Sequence, residues 1–242
     1  YEATGARIVN DPHGLEVLCQ PKFTQIDAFR LREGQMVFGW LHLGSKDMEE
    51  SMQIMQSLHT TAIAWEEMYK DGVNLFQRNG RITGKLGVLQ SIAYAGKMPN
   101  ECIVAVIGRG RVGKGAIYQL KRLGIKRLDV YHSKNSHELK TTIGRYDVIV
   151  HCASSLDDIL DEKDVSNMKK GALFVHLGSD SIKGDFGARS IYKPVCPINN
   201  GNNLIYCVNH IPTLAYQSAS KYISQDVAPY IDILVRDKLD IT

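Results

Sequence analysis

The sequence predicts an α/β protein with two doubly wound parallel-sheet domains, the second a Rossmann dinucleotide-binding domain, and a C-terminal helix returning to the first. Three observations carry this. Runs such as Met36–Leu41 and Ile103–Ile107 are almost wholly apolar, as parallel strands covered on both faces are. Helical periodicities separate these runs, the alternation that an open parallel sheet requires. The stretch "VAVIGRGRVGKGA", Val104 to Ala116, reads as a strand entering a glycine loop and then a helix.

In chain order, Ala6–Val9 and Glu16–Cys19 read as short strands separated by the turn-forming "NDPHG". Met36–Leu41 is the third strand. A helix over Lys46–Leu58 follows, with Met48, Met52 and Met55 recurring on one face. "TTAIAWEEM" reads as another buried strand, and Trp40 and Trp65 read as core aromatics. Gly84–Ala95 is an apolar helix that "GKMPNE" breaks, so the domain junction is placed there. Residues 1–95 with 210–242 then form a substrate domain that is incomplete at its N-terminal side, and 96–209 form the dinucleotide-binding domain. The latter holds strands Ile103–Ile107, Arg127–His132, Asp147–His151 and Ala172–Leu177, with a helix over Gly113–Leu123. Ser218–Leu239 is one long helical pattern, with Ser218 or Ser220 as its cap.

Composition bounds the function. A chain of 242 residues that is 44% hydrophobic can bury substantial cores. Its 29 basic and 26 acidic residues are interspersed, giving +3 without a basic block. Charge therefore points to neither nucleic acid nor membrane. Cys19, Cys102, Cys152, Cys196 and Cys207 are scattered and form no CxxC pair, which argues against metal and disulfide frameworks and fits a reducing cytoplasm. No apolar run approaches the roughly 20 residues of a membrane span. The opening "YEATGARIV" has neither an initiator methionine nor a signal-peptide pattern, so the chain is expected to begin inside a domain.

Gly108, Gly110 and Gly113 satisfy GxGxxG, with Arg109, Arg111 and Val112 between them. The first glycine permits a tight turn, the second lets a pyrophosphate approach the backbone, and the third permits close packing of helix on strand. A ligand-free glycine turn is the alternative, but a turn needs fewer glycines than this loop carries. A P-loop fits less well, because the GxxxxGK[ST] spacing is absent: Lys114 is followed by Gly115. The end of the next strand selects the nucleotide. NAD enzymes normally place a carboxylate there for the ribose hydroxyls; this chain has His132, Ser133 and Lys134. With Arg109 in the loop, these residues suit a 2′-phosphate, so the cofactor is expected to be NADP(H). The alternative is that His132 and Lys134 are solvated strand-end residues.

"GQMVFGWLHLGS", "TTAIAWEEM", "GKLGVLQSIAYA", the glycine loop and "YCVNHIPTLAYQSAS" follow one another in an order and spacing that resembles the alanine dehydrogenase and transhydrogenase superfamily. The branch that it is most similar to contains N5-(carboxyethyl)ornithine synthase and the saccharopine dehydrogenases. The resemblance covers nearly the whole chain. It implies an oxidoreductase of carbon–nitrogen bonds with a nicotinamide cofactor, small-molecule substrates and a homo-oligomer. It also implies roles for particular residues: Lys22 in "CQPKF" as the family's early-strand lysine, His42 as its catalytic histidine, Asp180 in "FVHLGSD" as its aspartate, and Asn209 as the asparagine near the nicotinamide. Pro212 would fix the start of the final helical segment. Two departures matter. The family's first strand, helix and carboxylate-binding arginine have no counterpart after Tyr1, and Gly80 and Arg81 stand where alanine dehydrogenases carry serine and glutamate.

The reaction so implied is NADPH-dependent reductive condensation of pyruvate with the side-chain amine of ornithine or lysine. His42 suits the proton transfers, since an unperturbed imidazole titrates near neutrality. Lys22 suits polarisation of the keto oxygen or binding of its carboxylate, and Asp180 suits the amino group. On residues alone, the alternatives are a capped strand-end histidine, a surface lysine and a turn aspartate. An alanine dehydrogenase, a saccharopine-type dehydrogenase using 2-oxoglutarate and a nucleotide-binding sensor without turnover are the alternatives.

Overall fold

The computed structural model describes residues 2–43, 48–153, 160, 162–178 and 192–236. They fall into two compact units, Tyr1–Phe76 and Gln77–Thr242.

In the first unit β1 (Val17–Gln20), β2 (Met36–Gly39) and β3 (Thr61–Ala64) form a parallel sheet in that order, joined through α1 (Gln25–Ala28) and α2 (Glu49–Ser57). Its core gathers Phe23, Leu31, Val37, Leu41, Met48 and Met55, whereas Met52 is only half-buried. A short hairpin follows, β4 (Tyr69–Lys70) and β5 (Val73–Asn74), turning through Asp71 and Gly72 at φ 53° and 72°. The Trp65 ring stacks on Phe76 and meets Trp40 edge-on, both with centroids 5.0 Å apart. Both tryptophans are thus packing residues, as expected.

Three expected elements differ here. Ala6–Val9 is exposed throughout and forms no strand, because no apolar layer covers it. The strand expected over Met36–Leu41 leaves the ladder after Gly39: the Trp40 carbonyl accepts from the Phe23 amide at 3.2 Å, and the Leu41 amide donates to the Glu66 carboxylate. In "TTAIAWEEM" only Thr61–Ala64 is strand, and Trp65–Glu67 makes a 3-10 turn that buries the indole. Lys46 and Asp47, the expected start of a helix, lie outside the described residues.

The second unit runs α3 (Gln77–Ser91), β6 (Ile103–Ile107), α4 (Arg111–Arg122), β7 (Arg127–Tyr131), α5 (Ser136–Thr142), β8 (Val148–His151), α6 (Glu162–Ser166), β9 (Leu173–His176), β10 (Val195–Ile198), β11 (Asn203–Cys207) and α7 (Tyr216–Arg236). Its six strands are ordered β10-β11-β9-β8-β6-β7, all parallel except β10, which is antiparallel to β11. The four parallel strands read from sequence are present within a residue of their expected ends. The additional two, β10 and β11, are hidden in the sequence by Pro197 and the asparagines around residue 200; proline is tolerated in β10 because that strand is the sheet edge. One face of the sheet, with Val104, Val106, Val148, Val150 and Val175, packs with Val88 of α3 and Leu120 of α4. The other, with Ala105, Ile107, Ile149 and Phe174, packs with Leu139 of α5 and Val165 of α6.

Helices α3 and α4 cross through glycine. A Cβ on Gly84 would collide with the Val112 carbonyl, and one on Gly115 with the Arg81 carbonyl. The α7 helix is held to α3 by Arg78, whose guanidinium bonds Gln225 and Asp226 and lies 4.8 Å over the Tyr222 ring. By packing, the chain therefore divides at Phe76/Gln77, and α3 and α7 belong with the six-stranded sheet.

Candidate dinucleotide and catalytic sites

In the six-stranded sheet, β7 and β8 follow β6 in sequence but flank it on opposite sides. The carboxyl edge between β6 and β8 is thus the topological switch point, the place where such sheets bind ligands. The glycine loop leaves β6 there. Gly108 turns at φ 94°, a backbone that side chains with a Cβ rarely adopt, and its amide donates to the Tyr131 carbonyl at 2.8 Å. A Cβ on Gly108 would lie 2.9 Å from the Ala153 nitrogen, and one on Gly113 would collide with the Gly108 carbonyl. Around Gly110 the same position is open, with no atom of the described residues within 4 Å. The glycines thus divide into a turn, an open face and a close approach, the cradle that a pyrophosphate needs. Gly110 is the N-cap of α4 and offers no side-chain cap. The first amides of this twelve-residue helix are left for an anion, assisted by the helix dipole.

The end of β7 is shaped by a residue that sequence reasoning misses. Asn135 accepts from the His132 amide at 2.7 Å through its side-chain oxygen and donates to the Val130 carbonyl at 3.3 Å. The Lys134 amide donates to His132 Nδ1 at 3.3 Å. His132 is thereby drawn into the turn, and Ser133 and Lys134 stand exposed at its tip. The signal that could have found it is an asparagine shortly after a strand end, which marks a side-chain-capped turn. Arg109, Arg111 and Lys134 are exposed, and among the described residues none makes an ion pair. Positive charge is available beside the loop.

Further along the same carboxyl edge, Asn209 is exposed after β11, and His210 takes a left-handed backbone at φ 57°. Its carbonyl accepts from both the amide and the hydroxyl of Thr213, at 2.9 and 2.8 Å, and Pro212 opens the turn leading into α7. Burial pushes the Cys152 thiol up from its ordinary value, so it stays protonated.

In the first unit, Lys22 follows β1 and His42 follows β2, both exposed and both beyond the carboxyl ends of parallel neighbours. The Phe23–Trp40 hydrogen bond, 3.2 Å, ties their two segments together. His42 has a left-handed backbone at φ 49°, a strain that a non-glycine residue holds only where its surroundings impose it. The structure therefore brings Lys22 and His42 to one sheet edge. Asp180 lies outside the described residues. Among the described residues no cluster of three or more histidine, cysteine or acidic side chains is arranged for a metal, and no helix is long and apolar enough to cross a membrane.

No family model matches the chain. It is 27% identical over 217 residues to an N(5)-(carboxyethyl)ornithine synthase of Lactococcus lactis subsp. lactis, covering 82% of this chain and 68% of the relative. A Clostridium botulinum protein of the same name is 25% identical over 228 residues, covering 85% and 70%. The chain is similar to the N(5)-(carboxyethyl)ornithine synthases. Among solved structures, an L-alanine dehydrogenase matches 99% of this chain and 77% of its own at a TM-score of 0.73 and 18% identity. A dipicolinate synthase structure from Bacillus halodurans matches 86% and 68% at 0.60 and 16% identity. The fold is like that of the alanine dehydrogenase structure.

Proposed function

We propose that the chain is a dehydrogenase-type enzyme that uses NADPH to condense a 2-oxo acid, pyruvate, with the side-chain amine of ornithine or lysine. The observation that carries the reading is the turn after β7: Ser133 and Lys134 stand exposed where a carboxylate would select NAD, on a chain similar over four-fifths of its length to the synthases named above. Gly108, Gly110 and Gly113 would hold the pyrophosphate, with Arg111 and Val112 offering amides of the first turn of α4. Arg109, His132, Ser133 and Lys134 would surround the 2′-phosphate, and Asn209 would receive the nicotinamide carboxamide.

The bond making needs proton traffic. As the amine adds to the keto carbon, the adduct must lose water before the resulting imine is reduced. His42 is assigned those transfers, because imidazole donates and accepts near neutrality. Lys22 would bind the oxo-acid carboxylate or polarise its keto oxygen, and Asp180 would hold the amine substrate. When bound, the reduced nicotinamide supplies the hydride for the imine carbon.

The test is the loss of reduced-nicotinamide absorbance with the purified protein. Consumption of NADPH only when pyruvate and a diamino acid are both present supports the reading. Consumption with pyruvate and ammonia makes the chain an alanine dehydrogenase, and a requirement for 2-oxoglutarate makes it a saccharopine-type enzyme. Binding of NADPH with no turnover, unaffected by His42→Ala, would make it a nucleotide sensor.

A further inference from the structure

The peptide group between Trp40 and Leu41 stands just beyond the ladder of the three-stranded sheet, whose last register row is Gln20, Gly39 and Ala64. Other segments take both of its polar atoms. The Trp40 carbonyl accepts from the Phe23 amide, and the Leu41 amide donates to Oε2 of Glu66, each at 3.2 Å. A peptide group is planar, so holding its oxygen and its hydrogen from two sides fixes its plane. His42 comes directly after Leu41, with its left-handed backbone at φ 49°, and Lys22 comes directly before Phe23. The clamp thus ties the two residues assigned to the chemistry above to one carboxylate.

Glu66 is itself firmly placed. It lies in the 3-10 turn Trp65–Glu67 that follows β3. Its carbonyl accepts from Nδ2 of Asn74 at 2.8 Å, and Oδ1 of Asn74 accepts from the Phe76 amide at 3.1 Å, where Asn74 is 6% exposed. The neighbouring Trp65 ring is buried and packs on Phe38, Trp40 and Phe76, with centroids 5.0 to 5.4 Å apart. On the other side of the contact the Leu41 side chain is wholly buried. An ionised acceptor makes the stronger hydrogen bond to an amide. The carboxylate therefore reaches the Leu41 amide from a rigid support, and His42 is the first exposed residue beyond it.

A left-handed backbone on a residue with a Cβ costs free energy and persists where its neighbours impose it. We propose that Glu66 is a positioning residue for the reaction: it holds the Trp40–Leu41 peptide so that His42 keeps the backbone from which its imidazole serves the substrate. Glu66 acts through Leu41 and does not touch the reacting atoms. This rests on the role given to His42 above and adds to it the group that sets its place.

Steady-state turnover of NADPH with pyruvate and ornithine, measured on the intact chain, tests this. Glu66→Ala should lower kcat about a hundredfold, the effect of a misplacement of about 1 Å, and leave the KM for NADPH unchanged. Glu66→Asp keeps the charge but is one methylene shorter, and should lose turnover in the same way. Glu66→Gln keeps an oxygen for the Leu41 amide and should recover most of it. In a His42→Ala background, removing Glu66 should cost nothing further, because the group being positioned is gone. Should Glu66→Ala not fold, the contrast between Glu66→Asp and Glu66→Gln carries the test. Proton NMR gives a readout independent of turnover: the ring signals of His42, assigned by their loss in His42→Ala, should be displaced in Glu66→Asp and unmoved in Glu66→Gln. Full turnover in Glu66→Ala, losses that add to that of His42→Ala, or His42 signals alike in Glu66→Asp and Glu66→Gln overturns the positioning role and leaves the proposed function standing. Undiminished turnover in His42→Ala overturns the role given to His42, and this inference with it.

Discussion

Strand β8 carries a buried ionisable group at each end, and the two ends are built differently. Before its first residue, Asp147 is 5% exposed, and its carboxylate takes Lys97 at 2.8 Å, Lys169 at 2.6 Å and the Ile103 amide at 2.9 Å. At its last residue, His151 faces a second histidine beneath a loop with an open glycine face. Every contact of the Asp147 carboxylate named here comes from the protein's own donors, which join β8 to β6 and to the segment before β9. Both ends are buried, and the carboxyl end adjoins the glycine loop, whose Gly110 has open space among the described residues. The contacts at the amino edge of this sheet serve stability, and the binding proposed above rests on its carboxyl edge.

The largest test of that division is at the carboxyl edge. Gly113→Ala forces a Cβ into the Gly108 carbonyl and should cost about 3 kcal/mol, the upper range for overpacking, and abolish dinucleotide binding; thermal unfolding and fluorescence titration read the two effects. A variant that binds normally would mean that the loop is not the cradle.

At the amino edge, Asp147→Ala should lower stability by about 2 kcal/mol, as the Ile103 amide loses a charged acceptor and the two half-exposed lysines lose their partner. Dinucleotide affinity should be unchanged. A loss of affinity in a variant that remains folded would erase the contrast between the edges.

Acid sharpens the same point. Burial opposes ionisation of Asp147, but the bonds from Lys169 and Lys97 and the Ile103 amide outweigh it and hold the carboxyl at about 2. A carboxyl depressed on folding stabilises above its unfolded value near 3.9 and loses that contribution as pH falls towards 2. Denaturant unfolding should therefore show the unsubstituted protein and Asp147→Asn converging in stability between about pH 4 and 2. A constant gap across that window would contradict the role given to the carboxylate.

The smallest expected effect concerns cofactor choice. Lys134→Ala should weaken NADPH binding about tenfold, the loss of one charge-assisted hydrogen bond, and leave NADH binding unchanged. Equal losses for both nucleotides would remove Lys134 from the 2′-phosphate and return it to the solvated strand end.

Much of this is legible in the sequence. Four of the five parallel strands of the six-stranded sheet show as apolar runs because both of their faces are covered. The glycine loop shows because its three backbone demands each exclude side chains. Lys22 and His42 stand out by resemblance alone; periodicity gives no reason why two residues so far apart in the chain should share a sheet edge, and the Phe23–Trp40 hydrogen bond supplies it. Asn135 is inconspicuous because an asparagine after a strand looks like any loop residue until its side chain is seen to close the turn. The edge strand β10 is masked by its proline.

The sequence by itself determined which segments are strands of a covered sheet and where the chain must turn through glycine, since both follow from local burial patterns and backbone sterics. Only the tertiary structure decided which ends lie together. The packing of α3 through glycine onto α4 and the placing of His151 beside His176 join residues distant in the chain, and such pairings depend on strand order, which no local pattern encodes.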